Sequence, residues 1–243
     1  MPGPRIYTPL PLALNQAINL DDQAVTHLVR VLRMNDGDEL RLFNGDGKEY
    51  AATLSVLSKK SASALPTSIL KEDAELPLAL HLGQVMSKGD RMDFTIQKAT
   101  ELGISEITPL TSERCEVRLK GDRMEKKLEH WQKVATSACE QSGRNRIPVI
   151  HPPQALAVWA QSVEAERKLL LHPHNQRPLE NDQNAPASLA LLVGPEGGFS
   201  DAEVSTCEQH GFDGLLLGPR ILRTETAALT ALSVLQYVWG DFR

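Results

Sequence analysis

A chain of 243 residues, 41% hydrophobic and 23% charged, can bury a sizeable core as one large domain or two small ones. No apolar run nears the roughly 20 residues that span a bilayer, and Met-Pro-Gly-Pro-Arg at the start lacks the apolar stretch of a secretory signal. Cys115, Cys139 and Cys207, with no Cys-x-x-Cys spacing, argue against a disulfide framework and a zinc site, so no metal and a cytoplasmic location are expected. The net charge of −5 averages over faces. Between Arg114 and Arg146, basic residues outnumber acidic ones.

Residues 1 to 72 read as a small β-rich domain. Asp21 or Asp22 can cap a helix with Val25, Leu28, Val29 and Leu32 on one stripe, ending near Asn35-Asp36-Gly37. Arg30 and Arg33, three apart, share a face. Strands are predicted at Leu40 to Phe43, Tyr50 to Leu57 and Ser61 to Leu70, with Asn44-Gly45-Asp46-Gly47 turning between the first two. The polar run from Lys71 to Pro77 reads as a linker.

From residue 73 onward the pattern is α/β. A strand at Leu78 to Val85 leads to a helix near Arg91 to Leu102, which Gly103 can end in a left-handed cap. Ile104 to Leu110 is the next strand. A long charged helix follows from about Arg123 to Gln141, ended by Gly143. Ile147 to Ile150, a helix near Ala155 to Ala165 and a strand at Lys168 to Leu171 come next. Asn175 to Ala187 has no apolar period and reads as a surface loop.

The last 55 residues repeat one grammar. Leu189 to Val193 is a strand of the kind buried on both faces. Gly194-Pro195-Glu196-Gly197-Gly198 breaks it, and Ser200 with Glu203 has capping-box spacing for a helix. Leu215 to Leu217, Gly218-Pro219 and a helix from Thr224 to Val238 form the second copy. Two such loops at the ends of neighbouring strands describe a ligand crevice. Neither matches a dinucleotide or P-loop fingerprint, and Glu196 would repel a phosphate. A ligand with hydroxyls, ring nitrogens or positive charge suits the loops better.

These residues carry a resemblance. Val193 to Gly198, Leu217 to Ala227 and Leu171-His172-Pro173 resemble the signature loops of SPOUT-class RNA methyltransferases, and within them the uridine-N3 enzymes of small-subunit (16S) ribosomal RNA. The likeness extends along the chain, through Arg5-Ile6-Tyr7, His81 to Gln84 and Cys139-Glu140-Gln141. It implies a PUA-like β-barrel over residues 1–72 and a SPOUT domain with a deep trefoil knot over 73–243. It also implies a homodimer, no membrane, and 16S RNA as partner, either naked or within the assembled subunit. S-adenosylmethionine is the implied cofactor, held by Leu171, His172, Gly194, Glu196, Gly197, Gly198, Leu217, Gly218 and Leu222, with Ile221, Arg223, Thr224 and Thr226 as second choices.

The chemistry assigns further roles. Uracil N3 becomes nucleophilic as its proton leaves, so Arg223 is the candidate cation beside the forming charge. Glu225 or Glu196 could accept the proton, or orient Arg223 or the sulfonium; the sequence leaves this open. Arg5, Arg30 and Arg33, together with the Arg144-Asn145-Arg146 loop, are the expected RNA contacts. Two other classes compete: an α/β enzyme with a different nucleotide cofactor, and a non-catalytic RNA-binding protein.

Overall fold

The computed structural model describes residues 3–73, 77–172, 176–179 and 185–242. Parts of the predicted linker and surface loop, and Pro173 of the third signature, lie outside the described residues. The chain divides into one unit of residues 1–75 with 139–147, and a second of 76–138 with 148–243.

The first unit is a five-stranded sheet. Its elements are β1 (Arg5–Tyr7), β2 (Ile18–Asn19), α1 (Asp22–Val25), β3 (Glu39–Phe43), β4 (Lys48–Ser58) and β5 (Ser61–Glu72), ordered β1-β3-β4-β5-β2. Every pair is antiparallel except β1 with β3. Ile6, Val25, Leu28, Leu40, Leu42 and Leu54 form its core. Asp21 provides the helix cap, accepting from Ala24 N at 2.7 Å. The expected amphipathic helix is not regular, however. After α1, Thr26–Val31 widens into a π-helical turn, with Leu32 N bonded to His27 O. The wider turn shifts the phase. Val25 and Leu28 stay buried while Leu32 is exposed.

The second unit is a parallel α/β domain. Its first half runs β6 (Ala79–Val85), α2 (Arg91–Glu101), β7 (Glu106–Thr111), α3 (Asp122–Ser142), β8 (Val149–Ile150), β9 (Gln154–Ala155) and α4 (Leu156–Ser162). Its second half runs β10 (Arg167–Leu171), β11 (Gln176–Arg177), β12 (Ser188–Val193), α5 (Asp201–Gln209), β13 (Asp213–Leu215) and α6 (Thr224–Trp239). The last turn of α3 groups with the first unit. The strand order is β11-β13-β10-β12-β6-β7-β8, with β9 beside β7. β12 is covered on both faces, and Leu189 to Val193 are at most 2% exposed, as the unbroken apolar run requires.

Helix ends follow their local chemistry. Ser200 and Glu203 close the capping box of α5 reciprocally, at 3.2 and 2.9 Å. Gly103 ends α2 in a Schellman motif, with Ile104 N on Ala99 O and Gly103 N on Thr100 O. β13 ends at Leu215, two residues short of the expectation, so Leu216 and Leu217 belong to the loop that lines the site described next.

Candidate functional site

Because β13, β10 and β12 are parallel neighbours, their C-terminal ends lie side by side. The loops that leave them converge there. A cavity of about 530 Å³ is walled by Leu171 and His172 at the end of β10, by Val193 to Glu196, Gly198 and Phe199 at the end of β12 and beyond it, and by Ile221 to Glu225 and Ala227. A second cavity of about 340 Å³ shares Leu171, His172, Ile221, Leu222 and Ala227 and extends along Leu215 to Arg220. Both volumes fall in the range of small-molecule sites, about 300–1,000 Å³. A wider groove of about 1250 Å³ adjoins the first cavity at Arg91, Glu196 and Glu225, and carries Lys88, Arg114, Arg118 and Gly197 on its walls.

A buried polar relay fixes the start of α6. Thr224 Oγ1 donates to Gly194 O at 2.7 Å and accepts from Gln84 Nε2 at 2.8 Å. One side chain thus ties the first loop to the helix that follows the second. Gly218, at φ +83°, turns the second loop in a conformation that L side chains avoid. On the groove side, Arg91 at the start of α2 pairs with Glu196, and Arg114 Nη1 donates to Gly197 O at 2.8 Å. Glu196 therefore has a cation partner at the surface.

Arg223 caps α6 in an extended conformation and its side chain is exposed, with no partner among the described residues. Glu225 sits in the first turn, at the positive end of the helix dipole. Its Oε2 is buried and has no hydrogen-bond partner among the described residues. A carboxylate oxygen in that state calls for a donor or a cation. Glu225 lines both the 530 Å³ cavity and the groove, so its charge faces the junction of the two.

Of the residues expected to bind the cofactor, Leu171, His172, Gly194, Glu196, Gly198, Ile221, Leu222, Arg223 and Thr224 line the larger cavity. Leu217 and Gly218 line the smaller, and Gly197 the groove. Thr226 lines none of the three and is exposed. Arg91, Phe199 and Ala227 also reach the site. Arg91 comes from a distant helix and left no local signal, whereas Ala227, one turn after Thr224, could have been found from helical spacing.

The expected RNA contacts divide. Arg30 and Arg33 are exposed, and Arg30 lies against the Lys59 carbonyl in the β4–β5 turn, beside Lys60. Arg146 is exposed and lies beside Gly47. Arg144 is half-buried, and its carbonyl accepts from Arg5 at 2.7 Å. Arg5 and Asn145 depart from the expectation. Arg5 is 8% exposed; it ion-pairs with Glu49, donates to Cys139 O and to Asn145 Oδ1, and stacks over Phe43 at 3.9 Å. Asn145 is fully buried. Both hold the unit together and present no surface to a phosphate.

Comparisons with known proteins give the family. Residues 74–236 match the family model of the RNA methyltransferase domain, and residues 20–66 that of the RNA methyltransferase PUA domain. Ribosomal RNA small subunit methyltransferase E of Buchnera aphidicola subsp. Schizaphis graminum is 38% identical, covering 98% of this chain and 97% of that protein. The Bacillus subtilis enzyme of the same name is 34% identical, over 90% of this chain and 89% of its own. A Legionella pneumophila protein solved with bound SAM superposes with a TM-score of 0.95 at 44% identity, over the whole of both chains. A small subunit methyltransferase E from Neisseria gonorrhoeae, bound to S-adenosyl methionine, gives 0.93 at 41%, over 99% of this chain and all of that one. The chain belongs to the RNA methyltransferase family of these ribosomal RNA small subunit methyltransferases E.

Proposed function

We propose that this protein transfers a methyl group from S-adenosylmethionine to N3 of a uridine in 16S ribosomal RNA. The observation that carries the reading is the Glu225 oxygen, unpartnered among the described residues, at the junction of a cofactor-sized cleft and a wide groove lined by both basic and acidic side chains. The fit is chemical: backbone-rich glycine loops and apolar walls suit an adenosine, and the Glu225 carboxylate complements a sulfonium. The cofactor supplies an electrophilic methyl with its own leaving group. Leu171, Leu217 and Leu222 wall the cleft, Gly194 to Gly198 and Gly218 bring backbone close, and Thr224 locks the two loops together. Arg223, exposed on the cleft wall and unpaired among the described residues, stabilises the uracil anion as its proton leaves. Glu225 takes that proton or holds the positive sulfur.

The finer fold reading rests on strand insertion. β13 lies between β10 and β11, which precede it, and the chain then runs on to α6, an order that supports a trefoil knot. The five-stranded sheet within residues 1–72 supports a PUA-like barrel that reads RNA through Arg30 and Arg33, with Arg146 of the recruited segment 139–147 beside it, and the rest of residues 73–243 forms the catalytic domain. Ile221 at 96% exposure and Tyr237 at 65% offer apolar surface for a homodimer. No helix of the described residues is long and apolar enough to cross a membrane, in keeping with a cytoplasmic enzyme.

The test is single-turnover methylation of 16S RNA, naked and in assembled subunits. The product nucleotide is mapped by reverse-transcription stops, because a methyl on N3 blocks the pairing edge. A methyl found on a ribose or on another base position would sink the uridine-N3 reading. Absence of S-adenosylmethionine binding in calorimetry would favour the non-catalytic RNA-binding class.

A further inference from the structure

On the sheet face that carries α4, strands β6 and β7 and the chain leaving β8 bring two histidines and a glutamate together. Register explains the meeting. His81 faces Glu106 directly across β6 and β7, and Glu106 faces Val149 across β7 and β8. Direct partners share a sheet face, and so do residues two apart in a strand. His151, two beyond Val149, keeps the ladder through its N–H on Ile107 O at 2.9 Å and so joins that face. Gln84, three residues after His81, points to Thr224 of α6, whereas His81 packs edge-on against Trp159 of α4 at 5.3 Å. The cluster is thus on the opposite sheet face from the residue that locks the cofactor loops.

The distances suit an ion. His151 Nε2 lies 2.6 Å and His81 Nδ1 3.8 Å from the same Glu106 oxygen, and one ligand atom from each of the three lies within 4.8 Å of the others. Tetrahedral bonds of about 2.0–2.2 Å place ligand atoms roughly 3.3–3.6 Å apart, within reach of small side-chain rotations. The second ring nitrogen of His81 lies 2.8 Å from Thr108 Oγ1. With Nε2–H donating there, the Nδ1 lone pair faces the cluster, as outer hydrogen bonds orient metal-bound imidazoles. Side-chain exposures of 18%, 32% and 44% leave a fourth position open to water.

We propose that His81, Glu106 and His151 form a site for a divalent transition metal of the zinc class, separate from the methyl-transfer cleft, that ties β6, β7 and the segment after β8 together. Two imidazoles with one carboxylate favour Zn²⁺, Ni²⁺ or Cu²⁺ over Mg²⁺. The three residues lie far apart in sequence and include no cysteine, which is why the cysteine spacing led to the expectation of no metal.

The experiment uses the full chain, without a histidine tag and treated with chelator. Zn²⁺ is titrated by calorimetry, and Co²⁺ by visible absorption. One ion per chain, a raised unfolding temperature and the intense bands of tetrahedral Co²⁺ are expected. His151→Ala and Glu106→Gln, checked for folding by circular dichroism, should each weaken binding by more than the roughly 10- to 100-fold typical of losing an outer partner. Thr108→Val should fall within that range, and His27→Ala should bind as the parent does. Absence of a saturable single equivalent of Zn²⁺ overturns the site. So does parental affinity in His151→Ala and Glu106→Gln, which would place the ion elsewhere.

Discussion

Removing the Arg5 guanidinium takes one of two cations from Glu49, whose side chain is 9% exposed and would keep Arg41, at 2.9 Å, as its one ion-pair partner among the described residues. Breaking a buried pair from one side costs about 3–5 kcal/mol. Arg5→Ala should therefore lower the urea midpoint sharply, and at temperatures where it stays folded its RNA affinity should match the parent's. An unchanged midpoint with weakened RNA binding would restore Arg5 as a surface contact. Arg223 has the opposite profile: it is exposed and lines the cleft, and on the proposed mechanism its charge matters only as the uracil loses its proton. Arg223→Ala should lower kcat by on the order of 10²–10³ with little change in KM. Lys there should rescue in part, since it keeps the charge and loses the planar fork. A loss confined to cofactor affinity would make Arg223 a binding residue. Glycine loops and charges near a helix start were readable because that chemistry is local. Burial of Arg5 and Asn145 was not, since both depend on which segment the first unit recruits from residues 139–147.

Helix ends and helix–helix contacts give two predictions at the scale of elements. Gly103 closes α2 at φ +88°, and a Cβ there would lie 2.5 Å from Gln236 Nε2, which itself donates to Leu102 O. Gly103→Ala combines left-handed strain of about 1–2 kcal/mol with that clash, and calorimetry should show a lower Tm. Adding Gln236→Ala should recover the clash and leave the strain, so the double variant should be less destabilised than the sum of the single ones. Asp93 on α2 accepts from Lys127, His130 and Trp131 on α3. Burial alone would raise its pKa, but these hydrogen bonds outweigh it and the pKa is lowered. A depressed carboxylate stabilises fully above its unfolded pKa of about 3.9 and loses that contribution as pH falls through the folded value. Asp93→Asn should flatten the loss of stability below about pH 4; an acid limb identical to the parent's would remove Asp93 as its source. Strands and caps were legible because periodicity and capping spacing reach only a few residues. The π-helical turn at Thr26–Val31 was not, because the same apolar letters serve a regular helix. The short β13 was hidden too, since Leu216 and Leu217 read as strand and line a cavity.

For the whole molecule, the class of the second unit was legible from its alternating strands and helices, while the insertion of β13 between β10 and β11 was not, since no local pattern encodes strand order. Charge is distributed as unevenly as the topology. The chain carries −5 overall, yet Arg30, Arg33, Lys59 and Lys60 are exposed on the first unit, far in sequence from the loops that build the cleft. If this patch holds phosphates, binding and chemistry should separate by unit. Arg33 has φ +56°, where Asn is tolerated better than most residues, so the charge is best removed as Arg30→Ala with Arg33→Asn. Each lost phosphate contact to RNA should reduce the slope of log K against log salt by about 0.7–0.9, and two by roughly 1.4–1.8. Affinity should fall most at low salt, where counterion release favours the parent. S-adenosylmethionine affinity and the single-turnover rate at saturating RNA should stay at parental values, because neither arginine lines the cleft. The measurement is filter binding of 16S RNA across a salt series, alongside calorimetry with the cofactor. A parental salt slope in the double variant would make these arginines solubility groups and move the RNA contact to another face of the unit.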